Sequence, residues 1–286
     1  MSRSFLGVLS YMGGKTRAVP ILDKFVPPEV KSIVSPFCGG GAFELHCATR
    51  RNLPVLAFDA DPMLITFWSA LKNHRHEVVS TVLALRNQLH ALAPEAQRSL
   101  YYQWWNVLRQ ADWAHPNLSA VYLAALYFAV NRCSFSGLTG KGFSYPCAQN
   151  RFTASAIQRL LDVNLDQIHF ACRDFRDSAW IGHQDSTCLL FLDPPYSLSH
   201  KSVIYGDHGF WHREFPHDQL CELLRRRGGK WLLCYNNCEE IRDMYRGFPS
   251  LVLDWHYGGN AARGQQDKEL IIISPELWRS LTSRTI

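Results

Sequence analysis

The sequence predicts an α/β protein built on a mostly parallel sheet, and two observations lead to this fold class. Short runs of strand length recur along the 286-residue chain, and they are almost continuously apolar, as is typical of strands covered on both faces. Helical patterns lie between several of these runs, as expected for strand–helix–strand units. The predicted strands cover residues 32–37, 54–58, 168–172, 188–192, 230–235, 251–256 and 269–274.

Start signals place several of the helices. Asp61-Pro62 combines a capping side chain with a proline in the first helical turn, and further helices are predicted after Thr153 and after Pro216. The apolar run at 120–130 has only about half of the ~20 residues that a membrane span needs. We therefore expect a buried helix there and no membrane partner.

One interval interrupts the alternation of strands and helices. Between residues 64 and 164 no run of the buried-strand type occurs, and helical patterns are followed by the glycine-punctuated stretch 131–146. We therefore predict a helical insert at 64–164 with a hairpin loop at 131–146. Residues 1–63 and 165–286 would form the main domain.

Composition narrows the class of protein. The net charge of +5 is compatible with a polyanionic partner without requiring one. Nine cysteines occur without a Cys-x-x-Cys pair, which predicts reduced thiols in an intracellular protein. His208, His212 and His217 have mixed spacing, so we predict no metal site.

A glycine-rich loop follows the first predicted strand. Gly39, Gly40 and Gly41 allow a tight turn and a close approach of the backbone to a ligand. Asp59 ends the next strand at about 20 residues from these glycines, the separation at which an acid binds ribose hydroxyls. The alternative is that Asp59 only caps the following helix.

The predicted nucleoside pocket lacks the signature of a phosphate cradle. Gly14-Lys15-Thr16 resembles the end of a P-loop, but position 9 is a leucine where that motif requires glycine. A nucleoside cofactor without a pyrophosphate site points to S-adenosylmethionine.

The segment Asp193-Pro194-Pro195-Tyr196 ends the strand predicted at 188–192 and stiffens the chain, because proline cannot donate to a sheet ladder. A rigid carboxylate at that end can accept a hydrogen bond from an amine, and the Pro194 carbonyl can accept a second. The Tyr196 ring offers a face on which a planar base can stack. We therefore expect Asp193, Pro194 and Tyr196 to bind and activate a base amine for methyl transfer.

Seven segments, in order, resemble the Dam-like adenine-N6 DNA methyltransferases, whose recognition insert lies between the cofactor motif and the catalytic motif. The similarity runs nearly from end to end. The segments are LSYMGGKTRAVPIL, SPFCGGGAF, LAFDADPMLI, NRCSFSGL, CRDF, FLDPPY and DKELIII.

The resemblance implies a Rossmann-like sheet of about seven strands, S-adenosylmethionine as cofactor and double-stranded DNA as partner, with the target adenine flipped out of the helix. In the matching motifs, Asp174 and Phe175 would bracket the cofactor's adenine. The other implied cofactor residues are Tyr11, Lys15, Pro36, Phe37, Gly39, Gly41, Asp59 and Asp193. The implied DNA-facing residues are Asn131, Arg132, Ser136 and Lys141.

Two departures from the family pattern change these expectations. Ser35 stands where the family has a glutamate that faces the methionine end of the cofactor, which implies weaker binding or another residue in that role. The segment after Leu138 is shorter than in the family and lacks its arginine. A relaxed site, or a short site other than the family's common GATC, is therefore expected.

Three further functions remain open at this point. Cys147 follows a proline, as the nucleophile of a cytosine-C5 methyltransferase would, although a buried structural cysteine is the commoner case. A methyltransferase that acts on RNA would carry the same stacking and phosphate contacts, and a catalytically silent DNA-binding or cofactor-binding module would keep the same fold. The sequence determines neither the oligomeric state nor whether a restriction enzyme accompanies the protein.

Overall fold

The computed structural model describes residues 7–11, 13–113, 119–177, 185–196, 215–254 and 268–283. The described part contains one seven-stranded sheet with strand order β3-β2-β1-β4-β5-β7-β6. All seven predicted strands are confirmed, with ends that differ by no more than a few residues. The strands are β1 Ser32–Ser35, β2 Val55–Asp59, β3 Ile168–Cys172, β4 Cys188–Leu192, β5 Lys230–Asn236, β6 Ser250–Asp254 and β7 Lys268–Ile273.

The sheet is doubly wound and Rossmann-like, as predicted. Strands β1 to β5 pair in parallel, whereas β7 lies antiparallel between β5 and β6. The strand order reverses between β1 and β4, and ligands of such sheets bind in the crevice beyond the carboxyl ends of the strands at this point. The loops that follow β1 and β4 are the glycine loop and the Asp-Pro-Pro-Tyr segment.

Helices cover both faces of the sheet. One hydrophobic core contains residues of the helices at 19–22, 42–50 and 275–282 together with the insert. A second core, on the other face, contains residues of the helices at 217–226 and 239–244. The helices are α1 Val19–Leu22, α2 Ala42–Arg50, α3 Pro62–Asn73, α4 Arg75–His90, α5 Pro94–Gln110, α6 Ala120–Cys133, α7 Tyr145–Asn150, α8 Ala154–Asp162, α9 His217–Arg226, α10 Glu239–Met244 and α11 Pro275–Thr282.

The three predicted helix starts are confirmed, two of them by a side-chain cap and the third by α9, which begins directly after Pro216. The Asp61 carboxylate accepts from the Met63 and Leu64 amides, and the Thr153 hydroxyl accepts from the Ala156 amide. These contacts satisfy amide groups that have no partner inside the helix. The run at 120–130 lies in α6, which is buried as predicted.

The described residues of 64–164 are helical apart from short turns and one β-bridge between Ser134 and Phe143. The proposed boundary between residues 63 and 64 falls within α3. In that helix Trp68 stacks on Phe170 of β3, with ring centroids 5.3 Å apart. The helix therefore packs on the sheet as well as within the insert.

Two chain-wide properties bear on the class of protein. All nine cysteines carry free thiols, in agreement with the prediction of a chain without disulfides. Among the described residues no helix has both the length and the apolar character that crossing a membrane requires.

Candidate active site

The glycine loop after β1 carries Tyr11 on its surface. Gly39 has φ +46°, a conformation that side chains other than glycine rarely adopt, and a Cβ atom there would lie 2.8 Å from Cε1 of Tyr11. A Cβ atom on Gly40 would lie 2.8 Å from Cβ of Tyr11. The glycines thus allow the N-terminal segment to close on the loop, and they bring Tyr11 to the crevice.

Asp59, at the end of β2, holds the loop from the other side. Its Oδ2 accepts from the Gly39 amide at 3.0 Å, and its Oδ1 accepts from the Asp61 amide at 3.1 Å. Burial, followed by the charge of Asp61, raises the pKa of Asp59 to about 7 against these hydrogen bonds. The alternative role as a cap belongs to Asp61, which caps α3.

A network of four side chains lies beyond the end of β4. Lys15 Nζ is 2.6 Å from Asp193 Oδ1, 2.8 Å from the Tyr196 hydroxyl and 3.2 Å from Glu269 Oε1. The Tyr196 hydroxyl in turn donates to Glu269 Oε1. Lys15 and Glu269 are almost fully buried, whereas the Asp193 side chain keeps 20 % exposure. The exposed part of Asp193 is therefore the part that a substrate can reach.

Burial and charge oppose each other in this network. Burial raises the pKa of Asp193, and the adjacent Lys15 ammonium opposes that rise. Burial alone would lower the pKa of Lys15, but Asp193 and Glu269 outweigh it and raise that pKa above its usual value. Burial raises the pKa of Glu269 to about 7 despite Lys15. Lys15 is thus a fixed cation that favours the ionised form of Asp193.

Three aromatic rings meet beside the glycine loop. Phe37, Phe175 and Phe215 have ring centroids 5.1–5.6 Å apart. Phe175 is buried, and the adjacent Asp174 is bound by Arg176 at 2.7 and 2.9 Å. The side-chain hydrogen bond from Arg176 lowers the pKa of Asp174. An apolar aromatic wall bordered by a carboxylate is suited to a purine base.

Asn131 and Arg132 are buried, at 0 % and 5 % exposure, and do not reach the surface in this conformation. Asn131 bonds the backbone of Ser10 through both its oxygen and its nitrogen, at 3.1 and 2.8 Å. Arg132 donates to Ser10 Oγ at 3.0 Å and to the Val8 carbonyl. The structure thus places them at the junction of α6 with the N-terminal segment, and their contact with DNA stays a prediction.

The hairpin beyond α6 has a more open surface. Ser136 is exposed with φ +55°, next to Phe135, whose exposure is 63 %. Lys141 is partly exposed and follows Gly140. Uncommon backbone geometry in an exposed loop is typical of binding segments.

Two acidic residues of this region were not among the predicted site residues. Glu269 precedes the apolar residues of β7 and is 1 % exposed, and Glu44 lies in the first turn of α2 and is 2 % exposed. Glu44 Oε1 accepts from the Ser35 hydroxyl at 2.5 Å. The partners Lys15 and Tyr196 reach Glu269 from distant parts of the chain. Ser35, by contrast, lies nine residues before Glu44, across the glycine loop. Neither glutamate stands out in the sequence, because Glu269 follows two charged residues and Glu44 lies in the first turn of a helix, where acidic residues are favoured.

The described residues do not support a histidine metal site or a cytosine-C5 methyltransferase that uses Cys147 as its nucleophile. His208 and His212 lie outside the described residues, and the His217 Nδ1 atom is 2.6 Å from the Tyr235 hydroxyl. Within the described ranges no group of three or more His, Cys, Asp or Glu residues is placed to hold a metal ion. Cys147 is buried in α7.

Comparison with known proteins decides the family. The profile of the D12 class N6 adenine-specific DNA methyltransferases matches residues 11–258. The chain belongs to this family. It is therefore an enzyme, and the resemblance seen in the sequence is confirmed. Members of a methyltransferase family with this fold generally use S-adenosylmethionine, and a DNA methyltransferase acts on DNA.

This methyltransferase has relatives in a virus, a bacterium and a phage. It is 22 % identical over 250 residues to the type II methyltransferase M.CviBI of Paramecium bursaria Chlorella virus NC1A, covering 84 % of this chain and 86 % of the relative. It is 24 % identical over 284 residues to a DNA adenine methylase of Vibrio cholerae serotype O1, covering 94 % and 96 %. It is 25 % identical over 257 residues to the DNA N-6-adenine-methyltransferase of Escherichia phage P1, covering 83 % of this chain and 31 % of the relative.

Proposed function

We propose that this enzyme methylates N6 of an adenine flipped out of double-stranded DNA, with S-adenosylmethionine as the methyl donor. The observation that carries the proposal is the pairing of Asp193 with buried Lys15 beyond the end of β4. Asp193 stands at the crevice where the strand order reverses, opposite the glycine loop. The relatives named above as adenine methylases support the choice of base.

The cofactor would lie across the glycine loop. Asp59 would bind the ribose hydroxyls, since each of its oxygens has further acceptor capacity besides its backbone bond. Phe37 and Phe175 would pack on the adenine, with Asp174 at its edge. The remaining cofactor residues in this proposal are Tyr11, Lys15, Pro36, Gly39, Gly41 and Asp193. When bound, the cofactor supplies a methyl group on a positively charged sulfur.

Asp193, Pro194 and Tyr196 would hold the target amine. The Asp193 carboxylate accepts one N–H of the amine, the Pro194 carbonyl accepts the other, and the Tyr196 ring stacks on the base. These bonds draw the nitrogen lone pair out of conjugation with the ring and aim it at the methyl group. The carboxylate also stabilises the positive charge that develops on the nitrogen during transfer.

The N-terminal segment would set the charge of this site. Lys15 neutralises part of the Asp193 charge but leaves its exposed oxygen surface available, because a carboxylate accepts about four hydrogen bonds. The hydrogen bonds of the Tyr196 hydroxyl with Lys15 and Glu269 orient its ring. The constellation is thus rigid before substrate arrives, which lowers the cost of positioning.

The hairpin would face DNA through Ser136 and Lys141, together with the exposed Phe135. Flipping the adenine costs a few kcal/mol, which contacts to the strand must offset. Asn131 and Arg132 would contribute by holding this hairpin on the N-terminal segment rather than by touching DNA. The short hairpin without the family's arginine favours a relaxed site or a short site other than GATC.

A methyl-transfer assay with labelled S-adenosylmethionine tests which nucleic acid and which base the enzyme methylates. Unmethylated duplex DNA and a matched RNA duplex are offered separately, and methylated positions are then mapped by sequencing. We expect N6-methyladenine in DNA, in one short context or in many. Methylation of RNA alone, or of cytosine, would contradict the proposal.

A further inference from the structure

Glu44 is a buried carboxylate at the edge of the cofactor crevice. It lies in the first turn of α2, directly after the glycine loop, and is 2 % exposed. The fully buried Ser35 hydroxyl, at the end of β1, donates to its Oε1 at 2.5 Å. Ser35 and Glu44 thus join the strand and the helix that flank the glycine loop.

The charges around Glu44 are of its own sign. Burial, the largest effect, and the charges of Asp193 and Asp59 together raise the pKa of Glu44 to about 7, against the Ser35 hydrogen bond that lowers it. Glu44 is therefore within electrostatic range of both the carboxylate proposed to bind ribose and the catalytic carboxylate.

The described residues provide no positively charged side chain as a partner for Glu44. Among the described residues no Lys, Arg or His side chain forms an ion pair with Glu44, and the Lys15 ammonium is taken by Asp193 and Glu269. The start of a helix favours an anion only weakly, whereas a buried carboxylate without a cation is costly. Such an arrangement is suited to a ligand that brings a positive charge with it.

We propose that Glu44, oriented by Ser35, binds the ammonium group at the methionine end of S-adenosylmethionine. This assignment rests on the proposed function, which fixes the ribose at Asp59 and the sulfur near Asp193. The methionine chain leaves the sulfur, and Glu44 is the buried carboxylate beside the glycine loop that no other proposed role uses. Glu44 is thus a determinant of cofactor affinity that acts on the amino-acid end of the ligand.

Two ligands separate this role from a general effect on the pocket. S-adenosylhomocysteine, the cofactor without its methyl group, carries the ammonium group on a neutral thioether, whereas 5′-methylthioadenosine has the same adenosine and a thioether but lacks the amino-acid end. Dissociation constants of both are measured by calorimetry for the wild-type protein and for Glu44→Gln, which keeps the shape and the bond from Ser35. Asp61→Asn is the matched control, since it also removes a carboxylate near Asp59 and asparagine caps helices as well as aspartate.

We expect Glu44→Gln to weaken S-adenosylhomocysteine binding by at least about tenfold, the effect of losing one charge-assisted hydrogen bond. Binding of 5′-methylthioadenosine should change by less than about twofold, and Asp61→Asn should leave the ratio of the two constants unchanged. An equal loss for both ligands, or no loss for either, would overturn the assignment while leaving the proposed function standing. A wild-type protein that binds 5′-methylthioadenosine but neither S-adenosylhomocysteine nor S-adenosylmethionine would overturn both.

Discussion

The ion pair between Lys15 and Asp193 favours the ionised form of the carboxylate that we propose to be catalytic. Transfer needs ionised Asp193, burial raises its pKa, and Lys15 opposes that rise. Removal of the ammonium group leaves the burial effect unopposed, so the pKa of Asp193 rises further. We therefore predict that Lys15→Met moves the acid limb of the kcat–pH profile to higher pH and lowers kcat near neutrality.

The control for this profile is Lys24→Met, which removes an exposed lysine outside the site and should leave the acid limb in place. If the acid limb of the kcat–pH profile is unchanged in Lys15→Met, or moves to lower pH, Lys15 does not control the protonation of Asp193. Its role would then be limited to cofactor binding.

Some residues of the candidate site could be predicted from the sequence and others could not. The proximity of Asp193 and Tyr196 could be predicted from the sequence because a short rigid segment holds them together. Glu269 could not be predicted, since the folded sheet brings Lys15 to it from the other end of the chain. Glu44 could not be predicted either, since its bond with Ser35 depends on the turn of the glycine loop between them. The substitution at Ser35 predicted either weaker binding or a substitute, and Glu44 is the substitute we propose.

At the scale of elements, the junction between α6 and the N-terminal segment connects the hairpin proposed to face DNA with the segment that carries Lys15. Asn131 bonds Ser10 on one side and the Gly137 carbonyl and Thr139 hydroxyl on the other, at 3.3 and 3.1 Å. A Cβ atom on Gly137 would lie 2.5 Å from Cβ of Ser10. The hairpin and the segment that carries Lys15 therefore pack as one unit.

We predict that Asn131→Ala lowers kcat for methyl transfer at least tenfold, because the segment that positions Lys15 loses its anchor. Gln97→Ala is the matched control, since Gln97 is a buried amide in the same insert that bonds the Leu92 carbonyl and Gln149. Both variants should lower the thermal midpoint. At a temperature where both proteins are fully folded, only Asn131→Ala should lower kcat. Equal losses of kcat at equal stability would mean that the junction is merely structural.

The elements themselves were largely predictable. The inner strands β1, β2, β4, β5 and β7 are buried on both faces or nearly so, and their apolar runs therefore stand out from the neighbouring residues. The edge strands β3 and β6 are partly exposed, yet they too are marked by short apolar runs. The direction of the side chains on α6 was not predictable in the same way. Its apolar character is nearly continuous, so no face is marked as exposed, and the motif Asn131-Arg132 gave no sign that it points inward.

At the scale of the whole molecule, the sheet and the insert share one hydrophobic core. Trp68 of α3 packs on β3 and also donates to the Gly39 carbonyl at 3.1 Å. We predict that a fragment of residues 64–164 does not fold alone, since α3 would expose the face that the sheet covers. Circular dichroism and amide exchange of the fragment check this, and a cooperative, protected fragment would show instead an independent domain.

The central claim is that Asp193 performs the chemistry at a site formed by the whole fold. The most direct measurement compares wild type with Asp193→Ala for N6-methyladenine formed in unmethylated duplex DNA, quantified by mass spectrometry of the nucleosides. The account predicts that wild type forms the product and that Asp193→Ala forms none, while its circular dichroism spectrum stays that of the native fold. A folded Asp193→Ala protein that still methylates adenine would contradict it.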